Sequence, residues 1–465
     1  MQAIASVFTL LLGVVVILAG TGLLGTLLGV RGQLEGFSPT ALGLIMSGYF
    51  AGFVVGTLLI PRLIRRAGHI RVFATLASLA SVATLLHGLY VTPGLWFALR
   101  LLSGICIVGL YIAIESWLNE RAGNEERGHI LSAYMTTTLI GLGLGQVLLM
   151  GGQADNLELF ALASVLLSLG LVPVAMTRVA EPPIVPASRL GLGKLYSVSP
   201  LGVVGCIFAG VGSGAFWGLA PVFATVIGLD KAGVATFMGL TILGGIVMLW
   251  PVGRLSDHRD RRAVLTWACA LAALGAVATA VAVALGQGTA WIMAGGFVYG
   301  SFAFSMYSLA AAHTNDHLDR SHVLEVTSTL QLLWAAGAIV GPIFAGLLMQ
   351  RFGPQALMFS IGASALVPAL FACWRMTVSA PIPVAEQAEF VPQFATSPAA
   401  LEMYPEEAED ADDADDDDDS VGRGAVPDEK VSFSEKLFWP RMNGDARGYR
   451  QMIGREVCVG RISAA

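Results

Sequence analysis

The chain has 465 residues, of which 55% are hydrophobic and 13% charged, and its mean hydropathy is +0.71. Soluble domains carry about 25% charged residues, so this composition excludes a soluble globular protein and predicts a polytopic membrane protein. The net charge of −6 is concentrated in one acidic tail, and no basic block points to nucleic acid.

Apolar runs of span length predict twelve helices, at 6–30, 41–60, 71–91, 95–118, 129–151, 157–177, 200–227, 232–252, 263–285, 290–312, 323–349 and 356–376. The first run has neither a basic leader nor a small-residue cleavage pattern, so it reads as a first span and not a signal peptide. With the N-terminus inside, fifteen Lys or Arg fall in cytoplasmic loops and after the last span, against Arg31, Lys231 and Arg351 outside. The positive-inside rule then puts both termini in the cytoplasm. Cys106, Cys206, Cys269 and Cys373 lie in apolar runs, where they read as small apolar residues and not as a metal set or a disulfide framework.

The fourth span, Leu95–Asn119, carries Arg100 and Glu115 inside an apolar run. At 100° per residue, Arg100, Gly104, Ile107, Tyr111 and Glu115 fall within roughly 80° of one another, and the two charges stand roughly 22 Å apart along the axis. Intramembrane charges are costly and usually face a bundle interior or an aqueous cavity. Arg100, Tyr111 and Glu115 are therefore candidate cavity residues; the competing reading has the charges snorkelling to the interfaces. Gln146, Trp217, Tyr299, Tyr307, Gln331 and Trp334 are further cavity candidates, because their polar tips need partners when buried, although core packing meets that need equally well. His87, His313, His322 and Glu325 read as groups near span ends.

The chain also repeats itself. Gly104, Tyr111 and Asn119 match Gly300, Tyr307 and Asn315 at one constant offset. Glu126–Leu131 opens span five as Asp319–Leu324 opens span eleven. These matches, six spans apart, predict two six-helix halves in parallel topology with a cavity between them. The domain reading is therefore an N-terminal half at 1–177, a linker at 178–199, a C-terminal half at 200–376 and a tail at 377–465. Residues 402–419 hold twelve carboxylates, which predicts a disordered cytoplasmic tail; a protein partner for it, or an interfacial contact of Phe433–Arg441 with anionic lipid, is the sharper alternative.

Gly253-Arg254-Leu255-Ser256-Asp257-His258-Arg259-Asp260-Arg261-Arg262 sits in a predicted cytoplasmic turn, where its charges can latch helix ends. The stretch resembles the cytoplasmic loop motif of the major facilitator superfamily, G-x-L-a-D-r-x-G-r-r, with Asp260 in place of the second glycine. The N-half copy, Pro61 to Gly68, has Arg65 at the acidic position, which moves the better-formed latch to the C-half. The candidate cytoplasmic gate is thus Arg62, Gly253, Arg254, Asp257 and Arg261, against the reading that these arginines serve topology alone. Arg100-Leu101-Leu102-Ser103-Gly104 resembles the superfamily's fourth-span R-x-x-x-G motif, which is associated with proton coupling and implies that role for Arg100; Glu115, whose charged form desolvation disfavours, is read as a second titrating site. Gly141-x-Gly143-x-Gly145 and Gly337 to Gly341-Pro342 with Gly346 resemble the fifth-span motif of drug/proton antiporters, though small residues at this spacing first predict close helix packing. Glu115-Ser116-Trp117-Leu118-Asn119 followed by Arg127 is similar to the YcaD-like branch, whose bacterial members lack an assigned substrate.

The resemblance implies an all-α membrane protein of twelve helices in two pseudo-symmetric halves. It implies a secondary transporter of a small organic solute in a bacterial inner membrane, working by alternating access, proton-coupled and preferentially exporting. Uptake by symport, facilitated diffusion, or a non-transporting sensor or scaffold are the alternatives. Sparse intramembrane charge favours a neutral or amphipathic solute over a polyanion. No phosphate-binding glycine loop, nucleophile–base set or metal set is present in the sequence, so no enzyme activity and no cofactor are expected.

Overall fold

A helix that is apolar on all sides has no preferred face to hide from water, so it is either buried in protein or immersed in lipid. The computed structural model is built from such helices. It describes residues 2–121, 127–176, 191–318, 323–388, 390 and 392, and it divides at residue 407 into two units, of which 408–465 falls outside the description. Also outside it are Arg178, Arg189, the rest of the acidic tail, the Asp319–His322 part of the internal repeat, and the side chains of Arg121 and Arg127.

The first half contains α1 (Gln2–Leu34), α2 (Pro39–Ala67), α3 (His69–Leu89), α4 (Pro93–Arg121), α5 (Arg127–Leu149), and the pair α6 (Glu158–Leu169) and α7 (Leu171–Met176). A short helix, α8 (Leu192–Val198), leads into the second half. That half contains α9 (Pro200–Val226), α10 (Lys231–Asp257), α11 (Arg261–Ala284), the pair α12 (Thr289–Ala303) and α13 (Met306–Asn315), α14 (Val323–Phe352) and α15 (Ala356–Val378). Among the described residues, eleven segments are long and apolar enough to cross a membrane, and the shorter Glu158–Val174 makes the twelfth of the predicted spans. Side chains that would sit inside a soluble core point outward instead: Trp250, Trp267, Trp291 and Leu370 are exposed, as expected of a lipid-facing surface. Cys106, Cys206 and Cys269 are buried, whereas Cys373 is on the outer surface.

Glycines decide how closely the spans approach. A β-carbon on Gly104 would lie 2.0 Å from the Tyr49 carbonyl oxygen, and one on Gly300 would lie 1.9 Å from that of Thr241. The repeated glycine thus makes the same backbone contact in both halves, α4 on α2 and α12 on α10. The predicted glycine faces pack in the same way. Gly145 faces the backbone of Ala19 and Leu23 in α1, and Gly337 and Gly341 face that of Ile207 and Val211 in α9. With lipid on the outside, such close contact is the main attraction available between apolar helices.

The halves meet at one end. Taking the end where α1 begins as the near end, the contacts between halves gather towards the far end. Gly43 of α2 is pressed on the Pro342 carbonyl of α14, and Gly346 on that of Pro39. Gly29 of α1 meets Pro221 of α9. The Lys231 ammonium donates to the Gly152 carbonyl. The core follows the same division. One cluster joins the C-half to the far-end residues of the first half, including Leu27, Leu42, Met46 and Trp96. A second cluster belongs to the first half alone and includes Leu10, Phe73, Ile107, Trp117 and Tyr134.

Span ten departs from the continuous helix expected at 290–312. It breaks at Phe304 and Ser305, where the Ser305 N–H and hydroxyl turn back to the Phe302 carbonyl at 3.2 and 2.8 Å. A valine at 104 or at 300 would force α4 off α2 or α12 off α10. Gly104→Val and Gly300→Val should each cost about 1–3 kcal/mol, the usual range for overpacking. Gly94→Ala, where an added β-carbon meets nothing within 4 Å, should leave the thermal midpoint of the purified protein unchanged.

Candidate functional site

Between the halves lies a cavity of about 180 Å³, whose walls differ in chemistry. From the first half come Thr21 and Thr26 of α1, Tyr49 and Phe50 of α2, Arg100 and Tyr111 of α4, and Thr138 of α5. From the second half come Ser213 and Trp217 of α9, Phe304 and Tyr307 around the break in span ten, and Trp334 of α14.

Among the described residues, Arg100 is the one charged side chain on this wall. It lies one turn before Gly104, so the close approach of α4 to Tyr49 carries its guanidinium over the Tyr49 ring, with Cζ 4.4 Å from the ring centroid. Arg100 is buried, and its Nε has no hydrogen-bond partner among the described residues. A cation over an aromatic face is stabilised by the ring quadrupole, by about 0.5–2 kcal/mol, yet keeps its full charge.

The opposite wall is aromatic. The break after α12 lays the Phe304 ring flat on Trp217, with centroids 5.7 Å apart and planes at 11°. Trp334 meets Phe50 edge-on across the halves at 6.0 Å and approaches Tyr307 at 6.4 Å. Phe304 carries no polar tip, and its role depends on a helix break, so only the aromatic run around 302–307 hinted at it in the sequence.

Of the residues expected to face the cavity, Arg100, Tyr111, Trp217, Tyr307 and Trp334 line it, so the repeated tyrosines occupy both walls. Four others lie off the wall. Glu115, fully buried near the near end of α4, accepts a hydrogen bond from the Tyr134 hydroxyl at 2.7 Å. Gln146 ties α5 to α1: it accepts from the Thr26 hydroxyl at 2.8 Å and donates to the Gly22 and Leu142 carbonyls. A buried amide with its groups satisfied is helix-to-helix glue. Tyr299 packs on Phe216, with ring centroids 5.3 Å apart. Gln331 is buried in α14 away from the cavity lining. His87 is buried under Trp96, and its Nδ1 bonds the Ala83 carbonyl at 2.7 Å.

A second constellation sits at the near end of the C-half. Arg261, 1% exposed, donates to Asp257 at 3.3 Å and to Asp316 at 3.0 Å. Asp260, where the motif's second glycine was expected, has φ −56° and caps α11 by accepting from the Arg262 N–H at 3.0 Å, so no left-handed residue is needed there. In the N-half copy Gly68 does take that conformation, at φ 84°. The segment after α15 crosses this cluster as a strap. Its Phe390 N–H donates to Asp257 at 2.7 Å, its Ala388 N–H donates to Asp316 at 3.2 Å, and the Ala388 carbonyl accepts from Arg261. The Phe390 ring covers Gly253, where a β-carbon would lie 2.3 Å from it. Burial pushes the Asp316 carboxyl up and Arg261 opposes it only in part, which leaves the group raised to about 6. The other two candidate gate arginines stand apart: Arg254 stacks on Trp250 at 4.5 Å, and Arg62 bonds the Leu58 carbonyl of its own helix at 2.6 Å.

This architecture is shared. The protein described as "Uncharacterized MFS-type transporter YcaD" of Escherichia fergusonii is 28% identical over 368 residues, covering 78% of this chain and 93% of that relative. The crystal structure of the nucleoside transporter NupG superposes with a TM-score of 0.60 at 12% identity, covering 80% of this chain and 99% of the other. A bacterial homologue of the human lysosomal transporter Spinster, in an inward-facing and occupied conformation, gives 0.64 at 16% identity, covering 81% and 97%. At such identities the likeness is one of fold. The sequence profile of the Major Facilitator Superfamily matches residues 10–317 and, overlapping, 207–404. With its two packed six-helix halves around a central cavity, the chain belongs to the Major Facilitator Superfamily and resembles its YcaD-like transporters.

Proposed function

We propose that this protein is a secondary active transporter that moves a small organic solute across a bacterial inner membrane by alternating access, coupled to protons and working towards export. The observation that carries the reading is the central cavity between two halves whose contacts gather at the far end. With both termini in the cytoplasm, that far end is periplasmic and the cavity belongs to an inward-facing state. Rocking the halves about the cavity would open the far end and close the near one. The family's character as transporters and the resemblance of the fourth-span motif support coupling; the preference for export rests on the resemblance of the glycine faces to drug/proton antiporters.

In this reading Glu115 is the titrating group. It is fully buried beside the Tyr134 hydroxyl, on the same helix as Arg100, so protonation would be felt along α4. Reconstituted into proteoliposomes, the protein should drive solute movement in response to an imposed pH gradient. Glu115→Gln should abolish the dependence of the rate on that gradient. If rate and pH dependence are both unchanged, the proton role of Glu115 is overturned.

The Asp257–Arg261–Asp316 cluster with its strap is the near-end latch in the same reading, since α10, α11, the residue that ends α13 and the segment after α15 meet on one arginine. Hydrogen bonds to charged groups contribute about 1.5–3 kcal/mol each. Arg261→Gln should therefore speed hydrogen exchange at the Ala388 and Phe390 amides by about tenfold or more. Arg254→Gln, which loses only a stack on Trp250, should leave those amides unchanged.

A further inference from the structure

The central cavity presents a cation and, on its wall, no group of opposite charge to meet it. Arg100 is 7% exposed, no Asp or Glu lines the cavity, and its Nε is unpaired among the described residues. The Tyr49 ring below the guanidinium is a neutral neighbour. In the inward-facing reading this arrangement is tolerated while the cavity is open to water that can reach the guanidinium. Alternating access requires a state in which both ends are closed over the solute, and much of that water must then leave. A desolvated, unpaired cation opposes closure, whereas an anion in two parallel N–H···O bonds removes the obstacle.

We propose that the transported solute is an organic monoanion. Its singly charged acidic head is gripped by Arg100, and its apolar, planar body lies against the stacked Trp217 and Phe304. The proposal rests on the reading of this cavity as the solute site of a transporter. One guanidinium in an otherwise apolar and hydroxyl-bearing wall matches one negative charge; a second would find no counter-ion there. The stacked pair, 5.7 Å between centroids and at 11°, offers a flat surface on the half opposite the charge. A solute with an anionic head and a flat body therefore touches both halves through different chemistry and can report its presence to each.

The test compares molecules that share a phenyl body and differ in the charge of the head group, using the purified full-length protein. Phenylmethanesulfonate and phenylacetate are titrated beside phenylmethanesulfonamide, phenylacetamide and phenethylamine, with binding read by calorimetry. The two anions should bind, the two amides at least about tenfold more weakly, and the amine not detectably. Arg100→Gln should remove anion binding, and Arg100→Lys should keep part of it through a point charge. Amides binding as well as their anions, anion binding unchanged in Arg100→Gln, or no binding of either anion would each overturn the proposal. Should Arg100→Gln fail to fold, the anion–amide comparison on the parent protein decides alone.

Proteoliposomes separate this proposal from the reading beneath it, because the sulfonate does not cross bilayers unaided. Sulfonate that binds through Arg100 but is not moved leaves the anion site standing and overturns the transport reading. Movement of the neutral sulfonamide without the sulfonate leaves transport standing and overturns the anion site.

Discussion

Close approach of helix backbones is the constraint on which the rest depends. Between apolar helices in lipid there is little hydrophobic drive to associate, so packing relies on short-range contact, and short-range contact needs small residues. Gly104 against the Tyr49 carbonyl is the instance that matters most. It holds α4 to α2 and, one turn earlier on α4, sets Arg100 over the Tyr49 ring. The same contact at Gly300 holds α12 to α10, shortly before the helix breaks and turns Phe304 onto Trp217. One repeated backbone contact thus positions the charged wall in one half and the aromatic wall in the other.

The halves are alike in backbone and unlike in chemistry. At the near-end cluster, the C-half has Arg261 bonded to both Asp257 and Asp316, and all three bonded to the strap, while the N-half has Arg65 where the acidic residue would be. At the cavity the order reverses, and the N-half holds the charge. The proposed rocking motion is compatible with this division. In that proposal a solute contacts both halves at the centre, while the closures that trade places lie at the ends, so each can carry its own chemistry. The core is arranged accordingly, with one cluster bridging the halves at the far end and one confined to the first half.

Much of the site was legible because some of its residues are expensive where they stand. An arginine inside an apolar run is costly in lipid, so its inward aim follows from composition and period alone, and the paired tyrosines follow from the constant offset of the repeat. Gln146 and Tyr299 carry the same polar signal and lie off the cavity wall. The reason is local: Gln146 finds the Thr26 hydroxyl and the Gly22 carbonyl on α1, and Tyr299 finds the Phe216 ring. A polar tip needs a partner, and sequence does not say whether that partner is protein or solute. Phe304 and Phe390 carried no such signal, since apolar rings in an apolar chain are cheap anywhere.

What the sequence determined by itself is the number of spans, their pairing into two halves, and the presence of a charge that has to face inward, because hydropathy, helical period and repeat offset act along the chain. Tertiary structure decided which end is closed, where span ten breaks, that Asp260 caps a helix in place of a glycine, and that the segment after α15 returns to the Asp257–Arg261–Asp316 cluster. Each of these depends on contacts between residues far apart in the chain or on backbone geometry set by packing. The Arg100 guanidinium stands between the two: the sequence placed it inside, and only the assembled walls left it without a carboxylate to meet among the described residues.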